Sequence, residues 1–208
     1  MSTIKNVIFD LGGVLYDINY KNTIEAFRDL GILDPEQLYS QKNQTQLFDE
    51  FETGKMDDKT FLQQLRKEFP GKVSEEELLK AWNAMLMGMP EHRIDFLLEI
   101  AEDYNVYLLS NTNSIHMRQI EDELIKSDLD DLKSYFDEAF LSFEIGKRKP
   151  DVSTFEWVIN ELGIDPEETI FIDDSAQHVN GAKQAGLHVY HHTDGDIVEV
   201  FDEVIEWI

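Results

Sequence analysis

The sequence predicts an α/β fold built on a parallel sheet, with an all-helical insertion after the first strand. Short runs rich in Val, Ile and Phe recur with amphipathic stretches between them, the rhythm of βαβ units. These runs are apolar almost without interruption, as strands are when both faces of their sheet are covered. Residues 19–90 break the alternation and show helical periodicity alone.

Lys5–Asp10 (KNVIFD) reads as the first strand and ends on an acid; Asn105–Ser110 (NVYLLS) reads the same way and ends on a hydroxyl. Glu138–Phe143, Thr169–Asp173 and Leu187–Tyr190 complete a set of five. Helical patterns cover Ile115–Lys126, Val152–Leu162, Ala176–Ala185 and Asp196–Trp207, the last with acids on its polar face. The insertion has three: Thr23–Leu30, Thr60–Phe69 and Glu76–Met87, punctuated by Gly31, Pro35, Gly54 and Pro70-Gly71. Asp57 or Asp58 can cap the middle one, and Ser74 with Glu77 three residues on is a capping box. Met85, Met87 and Met89 form a cluster that suits core filling or a ligand-facing patch. The expected organisation is a core of residues 1–16 and 92–208 with a helical unit at 17–91.

Composition excludes several functions. Of 208 residues, 43 are acidic and 18 basic, a formal charge of −25. Nucleic acid and anionic lipid are bound through Lys and Arg, so neither is an expected partner. An anionic substrate would need local positive charge or a metal ion. Cysteine is absent, which removes disulfides, thiolate metal sites and thiol nucleophiles. Apolar runs such as Val106–Leu109 are too short to cross a bilayer, and Met1–Lys5 leaves no room for a signal peptide before the first strand. A cytoplasmic protein, monomer or homodimer, is expected.

In an open parallel sheet, ligands bind at the carboxyl ends of the strands. Here those ends carry Asp10-Leu11-Gly12-Gly13-Val14, Ser110-Asn111-Thr112-Asn113, Gly146-Lys147-Arg148-Lys149-Pro150 and Asp173-Asp174-Ser175. Taken singly, an Asp after a strand is a turn or cap residue, and Asp-Asp before a helix complements its dipole. Together they gather three carboxylates, a hydroxyl and a basic triplet on one edge, although Lys147 and Arg148 can equally be solvated.

These motifs, in this order, resemble those of the haloacid dehalogenase-like hydrolases across essentially the whole chain: Asp10 with its Gly-Gly-Val turn, Ser110, Lys149 before Pro150, and Asp173-Asp174. Phe9–Val14, Leu109–Asn113 and Arg148–Asp151 are most similar to bacterial sugar-phosphate phosphatases of the alpha-D-glucose-1-phosphate phosphatase type. The resemblance implies a Rossmann-like core with a helical cap, Mg²⁺ as cofactor, and a small phosphorylated metabolite as substrate. It makes Asp10 the nucleophile that forms an aspartyl-phosphate and, with the Gly12 carbonyl and Asp174, a Mg²⁺ ligand. Asp173 would act from the outer shell, and the two acids could exchange these places. Ser110 and the Asn111 amide would hold phosphate oxygens, and Lys149 would neutralise charge on nucleophile and phosphate.

One position departs from the superfamily's common pattern. Gly12 stands where most of its phosphatases place a second Asp as general acid and base, a contribution of about 10²–10⁴-fold. The sugar-phosphate phosphatases that this sequence resembles share the glycine, and an anomeric leaving group needs less protonation, which points to a hexose 1-phosphate. Tyr16 and Asp17 could replace the acid, or serve packing and the turn. His116 reads as a helix-face or core residue, His178 stands where relatives often have Asn, and His191-His192 shows no matching partner pair. Phe48, Glu52, Trp82 and Met85 are candidates for a substrate-facing surface or for internal packing, and Glu52-Thr53-Gly54 resembles a recurrent cap turn. Two rivals remain: a metal-free 2-haloacid dehalogenase, and a non-catalytic phosphometabolite-binding protein.

Overall fold

The computed structural model describes residues 3–39 and 46–206. Strand β1 (Asn6–Phe9) is followed by a short β2 (Asp17–Ile18) and helices α1 (Tyr20–Asp29), α2 (Pro35–Leu38), α3 (Gln46–Glu52), α4 (Asp58–Leu65) and α5 (Glu75–Asn83). Strand β3 (Leu86–Gly88) and α6 (Glu91–Ile100) lead back to β4 (Asn105–Ser110), α7 (Ser114–Lys126), β5 (Glu138–Leu141), α8 (Ser142–Ile145) and α9 (Val152–Leu162). The chain closes with β6 (Thr169–Asp173), α10 (Ala176–Gln184), β7 (His188–His191) and α11 (Ile197–Glu206).

The five expected strands form one parallel sheet in the order β5-β4-β1-β6-β7. The chain builds outward from β1 through β4 to β5, then returns to the other side of β1 for β6 and β7. That reversal puts the crevice at the carboxyl end of β1, between β4 and β6. Register is set by alternation. Val7 and Phe9 join Val106, Leu108, Ile170 and Ile172 in a cluster covered by α6, α7 and α11. Ile8, Tyr107, Leu109 and Phe171 point the other way, toward α9 and α10. A slip of one residue would exchange the two faces.

Residues between β1 and β4 pack a third apolar cluster around Trp82, Phe27, Phe48, Phe51 and Phe61, to which α7 adds Ile115. Phe48 and Trp82, both fully buried, serve this packing rather than a substrate surface. The cap residues fall as the sequence indicates: Asp57 accepts from the Thr60 amide at 2.8 Å, and Ser74 and Glu77 form a reciprocal capping box. The insertion is not wholly helical, however. Leu86–Gly88 pairs antiparallel with Asp17–Ile18, because both stretches connect the helical segment to the core and run side by side there. Further elements differ from expectation. Ser142 ends the third sheet strand early, since its hydroxyl donates to the Thr112 carbonyl and accepts from the Thr112 amide, both at 3.0 Å, which turns the chain into α8. Helices α2, α3 and α6 have no counterpart among the expected elements. Trp207, expected to end α11, lies outside the described residues.

Two contacts seat the helical segment on the core. Gly54, with φ +67°, brings the turn after α3 so close to α8 that a Cβ there would lie 2.1 Å from the Phe143 carbonyl oxygen. His116 on α7 stacks on Trp82, ring centroids 4.6 Å apart. Its Nε2–H donates to the Trp82 carbonyl at 3.2 Å, and its Nδ1 accepts from Asn113 at 3.1 Å. Burial, partly opposed by the Trp82 carbonyl, lowers the His116 pKa to about 4.

The Gly54→Ala variant is expected to lose about 1–3 kcal/mol in urea denaturation, through both the clash and the left-handed backbone. His116 stays neutral when folded but takes up a proton below about pH 6.5 when unfolded. Its contribution is therefore complete above pH 6.5 and is lost as pH falls to about 4, up to about 3 kcal/mol in all. A His116→Gln variant should lack that segment of the stability-versus-pH curve.

Candidate active site

Strand β1 delivers Asp10 to the sheet edge. The Asp10 amide donates to the Ile172 carbonyl of β6 at 2.9 Å, which brings Asp10 level with Asp173. Between the two carboxylates lies the ammonium of Lys149, fully buried, 2.8 Å from Asp10 Oδ1 and 2.6 Å from Asp173 Oδ2. Asp10 Oδ1 also accepts from the Leu11 amide at 2.7 Å, so Oδ2 lies outside both of these bonds.

Lys149 is held from its backbone. The Asn111 side chain donates to the Lys149 carbonyl at 2.8 Å and accepts from its amide at 3.0 Å. Asn111, expected at the site through its backbone amide, thus also works through its side chain. The Lys149 ammonium lies 5.2 Å from the Phe171 ring centroid.

Asp173 is fully enclosed and takes three donors: Lys149, the Ser175 amide at 2.7 Å, and His178 Nδ1–H at 3.0 Å. Burial alone would raise its pKa, but Lys149 and His178 outweigh that and hold it low. Asp10 goes the other way. Burial first, then the charge of Asp173, push its pKa well above the carboxylate range, against the pull of Lys149; Asp174 adds to the rise. Burial opposes the Lys149 charge too, yet Asp10 and Asp173 keep its pKa above the ordinary value. Two buried carboxylates thus share one ammonium with a third, Asp174, acting on Asp10 nearby, and the set is short of positive charge.

Asp174 lines the cleft above Asp10 together with Gly12, Ser110, Asn111, Arg148 and His178. The close approach of Asp174 explains the second glycine of the β1 turn. Gly13 has φ +83°, and a Cβ there would lie 2.6 Å from Asp174 Oδ2. Asp10, Asp173 and His178 also bring ligand atoms within 4.8 Å of one another, but the Lys149 ammonium already lies between the first two. On the cleft side, Asp10, Asp174 and Gly12 of the β1 turn line the opening together.

All the sequence-nominated motif residues meet at this edge. His178 and Arg148 have contacts there that sequence reasoning did not assign. The available signals were the position of His178 just after Asp173-Asp174-Ser175, and the basic triplet around Arg148. The proposed substitutes for the missing acid have other partners: Tyr16 lines the cleft, but its hydroxyl donates to Glu123 at 2.5 Å, and Asp17 accepts from Arg93 at 2.8 Å. His191 donates to the Asp174 carbonyl at 3.0 Å, and among the described residues the His191-His192 pair belongs to no metal-ligand cluster.

The sheet order, the strand-end acids and the buried lysine define a hydrolase site of a known kind. Residues 4–186 match the family described as haloacid dehalogenase-like hydrolase, and the chain belongs to it. It is 32% identical over 192 residues to the D-ribitol-5-phosphate phosphatase of Bacteroides thetaiotaomicron, covering 92% of this chain and 93% of that protein. An aspartate-to-alanine variant of a HAD-family enzyme from that organism, solved with magnesium and inorganic phosphate, matches with a TM-score of 0.85 at 32% identity. That match covers 95% of this chain and 98% of the other. A HAD-like family hydrolase from Porphyromonas gingivalis matches with a TM-score of 0.87 at 28% identity, over 98% of each chain. Among the described residues, no helix is long and apolar enough to cross a membrane.

Removing the ammonium would leave two carboxylates buried against each other. Lys149→Ala is expected to lose about 3–5 kcal/mol, read by chemical denaturation at neutral pH.

Proposed function

We propose that this chain is a Mg²⁺-dependent phosphatase of a small sugar or sugar-alcohol phosphate, working through an aspartyl-phosphate on Asp10. The observation that carries the reading is the convergence of Asp10 and Asp174 on one cleft at the strand ends, with the buried Lys149 ammonium 2.8 Å from Asp10. The donor set suits a hard, oxygen-liganded cation: Asp10, the Gly12 carbonyl and Asp174 would hold it, with Asp173 acting from the outer shell. When bound, the ion offsets the repulsion between a carboxylate nucleophile and a phosphate dianion.

Asp10 Oδ2 attacks phosphorus, and the P–O bond to the alcohol breaks with its electrons on the leaving oxygen. The alkoxide takes a proton from solvent and leaves as the alcohol; water then attacks the aspartyl-phosphate, releasing inorganic phosphate, restoring Asp10 and returning a proton to solvent. Lys149 orients Asp10 and favours its ionised form against burial and the acidic neighbours, while Ser110 and the Asn111 amide hold phosphate oxygens. Residues 17–91 act as the cap over this chemistry and exclude water from it.

Gly12 offers no proton to the leaving oxygen, which suits the more acidic anomeric hydroxyl of a hexose 1-phosphate. The substrate in the name of the Bacteroides relative is instead a 5-phosphate of a sugar alcohol, whose leaving group is a primary alcohol. Both classes belong in one assay. A 2-haloacid dehalogenase reading gains nothing from three carboxylates at the strand ends, two of them on a single buried ammonium.

Phosphate release from a panel containing both classes should require Mg²⁺ and stop with EDTA. Asp10→Asn should reduce turnover at least about 10³-fold, as expected for loss of a nucleophile. Near-normal rates in that variant would remove Asp10 from its role.

A further inference from the structure

The roof of the cleft carries charged groups that the phosphoryl chemistry does not use. Glu52, at the end of α3, is 5% exposed and lines the cleft. Its Oε2 lies 3.0 Å from Nη2 of Arg148, and Nη1 of the same guanidinium pairs with Asp49. Arg148 lines the cleft too, and its Nε–H is buried with no hydrogen-bond partner among the described residues. A buried donor left unmade costs about 1–3 kcal/mol, so this one is suited to a partner that arrives with the ligand.

The chemistry of that partner follows from the pair. As a carboxylate paired with the Arg148 guanidinium, Glu52 is an acceptor only, while the neighbouring Nε–H is a donor only. Adjacent hydroxyl groups match such a pair, because each can donate to one side and accept from the other. The roof cluster of Glu52 and Arg148, with the half-exposed Asp49 beside it, is formally negative, so a second anionic group on the substrate would meet repulsion there.

We propose that Glu52 and Arg148 select the alcohol half of the substrate. Glu52 accepts a hydrogen bond from one hydroxyl and Arg148 Nε–H donates to a neighbouring oxygen. The cleft then favours phosphate monoesters of polyhydroxylated alcohols and disfavours those bearing another anionic group. This inference rests on the phosphatase reading.

Steady-state kinetics of the wild type, Glu52→Gln and Glu52→Asp test it, using D-ribitol 5-phosphate, p-nitrophenyl phosphate and phosphoglycolate. In Glu52→Gln the kcat/KM ratio of the polyol over the aryl ester should fall about tenfold or more, chiefly through KM. Phosphoglycolate should gain on both other substrates. Glu52→Asp, which keeps the charge, should retain the discrimination against phosphoglycolate and remains informative if the glutamine variant does not fold. Equal losses on all three substrates, or unchanged ratios, would assign Glu52 a purely structural place and overturn the proposal. A wild type that releases phosphate from none of the three overturns the phosphatase reading itself, an outcome distinct from a change in ratios.

Discussion

The site depends on one interaction: a fully buried ammonium held between the carboxylates of Asp10 and Asp173. Burying an ion costs several kcal/mol even after relaxation, and only close partners with good geometry repay it. The fold meets that condition from three directions. β1 and β6 are adjacent and in register, which brings their terminal acids to the same height. Asn111 at the end of β4 grips the Lys149 backbone through two hydrogen bonds. Helix α10 closes behind, with Gly181 so near the Lys149-Pro150 stretch that a Cβ there would lie 2.3 Å from the Pro150 carbonyl oxygen. Parallel strand order therefore acts as an electrostatic device, converting a topological neighbour relation into a charge pair.

That pair leaves the edge with an excess of negative charge, in a chain whose formal charge is −25. Asp173 is satisfied by three donors, whereas Asp10 is held above the usual carboxylate range by burial and by its acidic neighbours. The imbalance is the physical argument for a divalent cation at the cleft. It also gives the two acids of the Asp173-Asp174 pair different surroundings: one is enclosed and holds the lysine, the other lines the cleft against Gly13.

The helical segment is tied to the core mainly through polar and close backbone contacts at its edges. Arg148 binds the acids of α3, Asp58 of α4 accepts from Ser114 and Arg118 of α7, and Gly54 lies against α8. The segment's own aromatic cluster makes it a separate packing unit, with His116 and Ile115 of α7 as its main apolar footing on the core. Residues from both sides, Tyr20, Tyr39 and Glu52 from the helices and Asp10, Ser110 and Arg148 from the core, line the same cleft.

The sequence by itself determined the elements whose signal is local. Five apolar runs became the five sheet strands, the capping box at Ser74 and the cap at Asp57 formed as read, and the strand-end motifs named the residues that meet at the site. Tertiary structure decided what depends on partners distant in the chain. The β2–β3 pairing joins two- and three-residue stretches too short to carry a period, and α8 begins where Ser142 finds the Thr112 backbone. Arg148 reads as a solvated charge until α3 comes beside it, and Phe48 reads as surface or core until its neighbours close around it, whereas packing is already the favoured reading of Trp82. Periodicity records which face of an element is apolar. Which charge lies against which, and so how strongly each holds its proton, is set only when the strands are ordered in the sheet and the helices close over their ends.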